Sequence, residues 1–225
     1  MTFKLILSAI SEDLFLAFKK HFEKFPQVEV VFRPFEQTQF DCVVSAANSF
    51  GLMDGGVDQC ITDYFGVQMM KRVQNQIITD YYGEQSIGTS MIVRGNEIPG
   101  QRNKYVAHTP TMRIPMDIYK TRNVYSAMKS MLIAVQQHNN IRQELADAQI
   151  EDIDTKIESV VCPGLGTNAG RVPAEDAAKE MALALHHFLN PPKKIDWFFA
   201  QERSIEIQHR EITDEGDKID MTLFE

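Results

Sequence analysis

Two short segments of the sequence combine glycines with polar residues in a way that suits the binding of an anion. The first, from Ser45 to Cys60, reads SAANSFGLMDGGVDQC, and the second, from Pro163 to Pro173, reads PGLGTNAGRVP. Glycine lets backbone amides come close to a ligand. Free N–H groups at the start of a helix, together with the helix dipole, attract negative charge. Each segment therefore has the composition of a phosphate-binding loop.

A turn from a strand into a helix also requires glycine, so chain geometry explains either segment when it is taken alone. Neither matches the pattern GxxxxGK[ST], nor GxGxxG followed by an acid at the required distance. Taken together, two such loops at the carboxyl ends of strands would enclose a diphosphate from both sides. The residues by themselves indicate a phosphate-like anion held between two loops.

Predicted strands precede both loops, and predicted helices follow them. Short apolar runs predict strands at 3–9, 28–32, 41–46, 90–93, 105–108 and 158–162. Helical spacing and capping residues predict helices at 12–25, 57–65, 67–82, 123–137 and 174–189, with Ser11 and Asp54 as capping residues. Strands that alternate with helices predict an α/β fold in layers.

The chain divides, by composition, into one large domain and an extension. We expect residues 1–190 to form the domain, with the polar stretch 136–154 as a surface excursion between core elements. Residues 191–225 follow two prolines; they contain a possible strand at Ser204–His209 and end in an acidic tail that we expect to be loosely docked.

The net charge and the cysteines argue against several kinds of partner and site. The formal net charge is −8 and no basic stripe is present, which argues against a nucleic-acid partner and means that local backbone donors must bind any anion. Cys42, Cys60 and Cys162 form no CxxC pair, which argues against a zinc site or a disulfide framework and suits a reducing cytoplasm. We expect no metal, no cofactor and no membrane span; the residues leave the oligomeric state open.

The two loops resemble the two signature loops of macrodomains, which are ADP-ribose-binding modules. DCVVSAAN, ending at Asn48, is similar to the macrodomain strand DAIVNAAN, and GGVD at 55–58 follows it as in that family. PGLGTNAG at 163–170 resembles the second loop, while HTPTMR at 108–113 and Asn123–Tyr125 resemble a bacterial and phage branch. The resemblance covers roughly 1–190 and implies a three-layer α/β/α sandwich with a mixed, mostly parallel central sheet.

The resemblance also implies a set of site residues. Asn48 would contact the distal ribose, and Asp58 matches the acid of the branch that removes ADP-ribose from acidic side chains or from O-acetyl-ADP-ribose. The candidate catalytic residues are Asn48 and Asp58, and the candidate ligand-binding residues are Ser49, Gly55, Gly56, Val57, Leu165, Gly166, Thr167, Asn168, Ala169, Gly170, Arg171 and Glu36.

Three features depart from the family pattern. Ser45 stands where the family has asparagine, and residues 168–171 (NAGR) replace a run that normally carries an aromatic clamp over the distal ribose. Glu36, the candidate acid for the adenine amino group, lies closer to Asp41 than the pattern requires.

These features support hydrolysis of an ADP-ribosyl bond, with Asp58 orienting or deprotonating a water and Asn48 holding the ribose. An acid in a first helical turn also stabilises the helix dipole without any catalysis. The alternative is a non-catalytic module that reads or sequesters ADP-ribose, which the missing aromatic clamp favours. An RNA-binding role is disfavoured by the acidic charge.

Overall fold

The computed structural model describes residues 1–95, 104–150 and 154–210, and these form a three-layer α/β/α sandwich. Its central sheet has six strands: β1 (Lys4–Ala9), β2 (Val28–Phe32), β3 (Cys42–Asn48), β4 (Met91–Arg94), β5 (Tyr105–Met112) and β6 (Ser159–Cys162). The strand order is β2-β1-β6-β3-β5-β4. Every pairing is parallel except that of β4 with β5, so the mixed, mostly parallel sheet expected from the sequence is confirmed.

Six α-helices cover the two faces of the sheet: α1 (Glu12–Phe22), α2 (Gly56–Phe65), α3 (Gln68–Tyr81), α4 (Asn123–Asp147), α5 (Ala174–Leu189) and α6 (Trp197–His209). One core lies between the sheet and α1, α4 and α5, and a second lies between the sheet and α2 and α3. The central strands are buried on both faces, which explains their nearly continuous apolar sequences.

The topology brings the two glycine-rich loops together. β3 precedes the first loop and β6 precedes the second, and these strands are direct parallel neighbours, with Cys42 paired to Val160 and Val43 to Val161. Parallel neighbours have their carboxyl ends at the same edge of the sheet, which is where ligands bind in open α/β folds. The two loops therefore face the same space.

Two predicted elements were wrong. The predicted helix 123–137 is too short, because α4 continues to Asp147 through the first part of the polar stretch 136–154, most of which is exposed as predicted. Its buried polar side chains are satisfied: His138 bonds to the Thr155 carbonyl, and Asn139 exchanges hydrogen bonds with the backbone of Ile157. A helix with bonded polar residues can thus stay packed where its sequence loses the apolar pattern.

The possible strand at Ser204–His209 is helical instead, as the second half of α6. Asp196 begins this helix, since its carboxylate accepts a hydrogen bond from the Phe199 amide at 3.0 Å. Helical spacing then lets Glu206 bond to His187 on α5 at 2.9 Å while Ile207 packs on the core. The predicted acidic tail, 214–225, lies outside the described residues.

The capping predictions also need correction. Ser11 is the residue before α1, but its side chain makes no capping hydrogen bond. Asp54 does not cap α2: the N-cap position belongs to Gly55, and no side chain caps the helix. This absence leaves the first backbone donors of α2 available to another partner.

Candidate functional site

A cavity of about 650 Å³ opens at the carboxyl edge of β3 and β6, between the two glycine-rich loops. All but three of the site residues proposed from the sequence line it: Glu36, Asn48, Gly55, Gly56, Val57, Asp58, Gly166, Thr167, Asn168, Ala169 and Gly170. The structure thus places both loops, and both candidate catalytic side chains, around one volume that is large enough for a nucleotide-sized ligand.

Ser49, Leu165 and Arg171 do not line the cavity. Ser49 is buried, with its amide donating to the Arg113 carbonyl, and Leu165 belongs to the apolar core. Arg171 is exposed beyond the loop in a left-handed conformation (φ +53°), and its amide bonds to the Asn168 carbonyl at 2.9 Å. These three residues are therefore better placed to shape the loops than to touch a ligand in the cavity.

The first wall of the cavity is the amino-terminal end of α2. The amides of Gly56, Val57 and Asp58 donate no hydrogen bond to any other described residue, because the first intrahelical bond runs from Gln59 to the Gly55 carbonyl. Uncapped helical N–H groups carry partial positive charge. They form a donor set suited to an anion.

The opposite wall is the loop after β6. Its backbone carbonyls accept hydrogen bonds, whereas its backbone amides donate none to described residues. The Gly166 carbonyl accepts from Val172, the Asn168 carbonyl from Arg171, and the Gly170 carbonyl from Ile118, at 2.9–3.0 Å. The amides from Gly166 to Gly170 donate to no other described residue. A second set of backbone donors therefore borders the same cavity.

The two walls approach each other at Gly56 and Asn168. A Cβ atom on Gly56 would lie 3.4 Å from the Asn168 Nδ2 atom, and Gly56 has a left-handed backbone (φ +58°) that favours glycine. The two loops are therefore close to each other at this point.

Asn48 organises its own loop. Its Oδ1 accepts hydrogen bonds from the amides of Phe50 and Leu52, and its Nδ2 donates to the Leu52 carbonyl at 2.8 Å. The Nδ2 group carries a second hydrogen, which no described residue accepts. Asn48 thus keeps one donor that is available to a ligand while the rest of its amide fixes the turn.

Asp58 is a buried carboxylate on the cavity wall, 5% exposed. Burial raises its pKa from 3.8 to about 6, and the Ser45 hydroxyl, which donates to Oδ1 at 2.6 Å, partly opposes that rise. Ser45 is the residue that departs from the family pattern, so this departure provides a direct partner for the candidate catalytic acid.

His108 lies on the sheet beside this pair, and Gln85 contacts it from the loop after α3. His108 is opposite Ser45 in the β3–β5 register, and its Nδ1 is 2.6 Å from the Gln85 Oε1 atom. Burial lowers the pKa of His108 to about 3, and no described residue bonds to its Nε2 atom. The ring is thus neutral, with Nδ1–H donating to Gln85. Nothing local in the sequence pointed to Gln85, since it comes from the loop after α3.

One end of the cavity is apolar and suits a base. Ile10, Leu14, Pro34 and Phe35 line it, with Glu36 beside them on a short 3₁₀ helix, Phe35–Gln37. Cys60 also lines the cavity, but burial, Glu36 and Asp63 raise the pKa of its thiol, which disfavours a nucleophilic thiolate.

The described lining contains no lysine, arginine or histidine, and its charged members are three acids. The described lining therefore offers an anion backbone amides and neutral polar side chains, but no cationic side chain. In the described part of the chain, no group of histidine, cysteine and acidic side chains could hold a metal ion, and no helix is long and apolar enough to cross a membrane.

Comparison with known proteins agrees with this architecture. The chain is 28% identical over 161 residues to an uncharacterized protein of Aquifex aeolicus (strain VF5), covering 72% of this chain and 82% of the relative. A mutant macrodomain of Oceanobacillus iheyensis, solved with ADPR, superposes with a TM-score of 0.54 at 18% identity, covering 84% of this chain and 80% of its own. A second mutant of that protein gives 0.51 at 17% identity and covers 92% and 93% of the two chains.

A family model supplies the assignment. The model for the macro domain matches residues 44–181, which include both glycine-rich loops and most of the sheet. The chain therefore belongs to the macro domain family.

Proposed function

We propose that this protein binds ADP-ribose, or a derivative of it, in the cavity between the two loops and hydrolyses an ADP-ribosyl bond there. The observation that supports this most strongly is the pair of free amide sets, at the start of α2 and along 166–170, on opposite walls of one cavity. A diphosphate has acceptor oxygens on both phosphates and fits between two such sets.

The remaining walls fit the rest of the molecule. The apolar end at Ile10, Leu14 and Phe35 would hold the adenine base, with Glu36 near its amino group. The distal ribose would then lie by Asn48 and Asp58, where the free Nδ2 hydrogen of Asn48 suits a ribose hydroxyl. An ADPR-bound member of the same fold, from Oceanobacillus iheyensis, supports this choice of ligand.

The proposed reaction is hydrolysis at the anomeric carbon of the distal ribose. Water attacks that carbon, the bond between the carbon and the oxygen of the modified carboxyl group breaks, and the carboxylate leaves. Asp58 accepts the proton of the attacking water, so it must be ionised, and it reaches that state as the pH rises above about 6. Asn48 would hold the ribose so that the water and the carbon meet.

A second candidate function is a non-catalytic reader of ADP-ribose, and two contacts favour it. The Asp58 carboxylate is already engaged by Ser45, and most of the Asn48 amide is engaged by its own loop. Asn168 and Ala169 also provide no aromatic ring to clamp the distal ribose. A reader would bind ligand with these residues in place and release no product.

Turnover of a glutamyl-ADP-ribosylated peptide separates the two candidates. We expect the chain to release free ADP-ribose, and Asp58→Asn to lower the rate by roughly 100-fold or more while the ADP-ribose Kd changes less than about threefold. Asp63→Asn is the matched control, because Asp63 is an exposed acid on the same helix whose carboxylate accepts a hydrogen bond from the Gln59 side chain and does not line the cavity. No product from the unaltered chain, with binding intact, would establish the reader instead.

A further inference from the structure

We propose that Arg210, at the carboxyl end of α6, is a positioning residue that holds the anion-binding loop 166–170 in shape through Tyr119 and Ile118. The inference deepens the proposed function and rests on it, since it assigns to the segment after Pro192 a part in ligand binding.

Arg210 connects three parts of the molecule. Its Nε donates to the Glu180 Oε1 atom at 2.7 Å, its Nη1 lies 3.3 Å from the Asp176 carboxylate, and its Nη2 donates to the Tyr119 carbonyl at 3.2 Å. The side chain is 16% exposed, so solvent screens these contacts little. Arg210 thus joins α5 to the loop between β5 and α4.

Glu180 makes the attachment of Arg210 strong. It is 1% exposed and also accepts a hydrogen bond from the Tyr125 amide at 3.1 Å. A carboxylate buried to this degree requires a cationic partner, and removal of that partner is expensive. Arg122, 3.6 Å from Glu180, adds a second connection, because its Nη2 donates to the Gln208 carbonyl at 2.7 Å. The end of α6 is therefore fixed to this buried acid.

Ile118 passes the constraint on to the loop. Its amide donates to the Gly170 carbonyl at 3.0 Å, and it directly precedes Tyr119. Its side chain occupies the space next to both loop glycines: a Cβ on Gly166 would lie 3.1 Å from Ile118 Cδ1, and one on Gly170 would lie 2.8 Å from Ile118 Cγ1. A shift of Ile118 must therefore move the loop.

The consequence concerns the direction of the loop amides. Hydrogen bonds from Val172, Arg171 and Ile118 to the loop carbonyls fix the loop conformation. In this conformation the amides of 166–170 have no described acceptor. Without Arg210, the Tyr119 carbonyl loses its partner on α6, and residues 118–119 keep only their own turn and the contacts of Ile118 with the loop and the core. The donor set then samples orientations that no longer converge on one anion, and affinity falls by preorganisation alone.

Two measurements on the 225-residue chain test this. For Arg210→Gln we expect the Kd for ADP-ribose, by calorimetry, to rise by about 10-fold. We also expect hydrogen exchange in the free protein to accelerate at the Arg171 and Val172 amides, which bond to the loop carbonyls of Asn168 and Gly166, and Arg210→Lys, which keeps the charge beside Glu180, to recover part of both losses. Hydrogen exchange needs no ligand, so it tests the connection from Arg210 through Tyr119 and Ile118 to the loop even if ADP-ribose proves to be the wrong ligand.

Arg203→Gln is the matched control. Arg203 lies on the same helix, 3.5 Å from Glu206 and stacked on Phe199, and it forms no hydrogen bond or ion pair with the described residues 114–122. It should leave both measurements within about twofold of the original chain. Unchanged affinity and exchange in a folded Arg210→Gln variant, or equal losses in Arg203→Gln, would overturn the proposal.

A third variant covers the case in which Arg210→Gln does not fold. Ile118→Ala breaks the same connection from the loop side without unpairing Glu180, and it should also accelerate exchange at the Arg171 and Val172 amides and weaken binding. Normal exchange in that variant would contradict the route through Ile118.

Discussion

Burial of Asp58 has one consequence for catalysis and an opposing one for stability. It raises the pKa of the carboxyl group to about 6, which brings the group close to the value at which a general base works well near neutral pH. It also makes the ionised form unfavourable in the folded chain. Ser45 moderates both effects, since its hydrogen bond to Oδ1 favours the charged form.

The pH profile of turnover follows from this. We expect kcat/KM for ADP-ribosyl hydrolysis to rise through pH about 6, as Asp58 loses its proton, and then to level off. Ser45→Ala removes the hydrogen bond that lowers the Asp58 pKa and should move the rise to higher pH. Rates of ADP-ribose release between pH 5 and 9 check both expectations. A profile that stays flat, or a shift to lower pH in Ser45→Ala, would contradict them.

The stability of the folded chain should also depend on the ionisation of Asp58. It should fall as the pH rises, whereas the rate of hydrolysis should rise. Because the folded-state pKa of Asp58 is about 6 and its ordinary value is 3.8, the folded chain holds this proton more tightly than the unfolded chain does. The resulting stabilisation is present below pH 3.8 and is lost as the pH rises through about 6. Asp58→Asn should therefore be more stable than the original chain at pH 8, by about 1–3 kcal/mol in the free energy of unfolding.

Urea unfolding at pH 8 and pH 4 measures this difference, and it should shrink at pH 4, where the carboxyl group is protonated in the folded chain. Asp63→Asn, at an exposed position of α2, serves as the control and should show no such dependence. A loss of stability in Asp58→Asn at pH 8 would mean that the Ser45 hydrogen bond outweighs the cost of burying the charge.

The elements explain why these residues meet. β3 and β6 are parallel neighbours, so the loops that follow them share one edge of the sheet, and α2 begins there with no side-chain cap. The shape of the second loop depends on glycine at 166, which has φ +71° and is packed against Val124 and Ile118. The loop geometry is therefore sensitive to a single methyl group.

Gly166→Ala should weaken both the fold and the binding site. The new Cβ would lie 2.9 Å from Val124 Cγ2 on an unfavourable backbone, and we expect a loss of about 1–3 kcal/mol in stability and of roughly 10-fold in ADP-ribose affinity. Gly88→Ala is the control: it has φ +83°, but its Cβ would meet only Ser126, at 3.5 Å, and it does not line the cavity.

Thermal unfolding and calorimetry separate the two variants. Gly88→Ala should lose stability and keep its affinity for ADP-ribose. If Gly166→Ala also kept its affinity, the loop at 166–170 would not be part of the binding site.

The sequence predicted those elements whose own residues determine them. Glycines and flanking apolar runs were enough to place both loops between a strand and a helix, and the resemblance named Asn48 and Asp58. The same approach failed at Ser204–His209 and beyond Gln137, where helices persist because Glu206, His138 and Asn139 find partners far along the chain. Gln85 and Ile118 could not be found either, because their roles arise from contacts with His108 and Gly170.

At the scale of the whole molecule, the net negative charge opposes the binding of an anion, whereas the local donors of the cavity favour it. The formal net charge is −8, and in the described chain no basic side chain lines the cavity. An ADP-ribose diphosphate would therefore be held by short-range amide dipoles against a weak overall repulsion. Salt screens the repulsion more than it weakens the direct hydrogen bonds.

The salt dependence of ADP-ribose binding tests whether amide dipoles, and not charged side chains, hold the diphosphate. Between 50 and 500 mM NaCl we expect the Kd for ADP-ribose to change by less than about threefold, and any change to be toward tighter binding. Binding to single-stranded RNA should be undetectable at 150 mM salt, since no basic surface releases counterions. A steep loss of ADP-ribose affinity with salt would instead indicate a cationic side chain in the site.

Calorimetric titration of the unaltered chain with ADP-ribose at pH 7.5 tests the proposed site most directly. We predict a saturable heat with one ligand per chain and a Kd on the order of micromolar. AMP, which lacks the second phosphate needed to span the two amide sets, should bind more weakly. No heat up to millimolar ADP-ribose, from a chain that circular dichroism shows to be folded, would contradict the proposal.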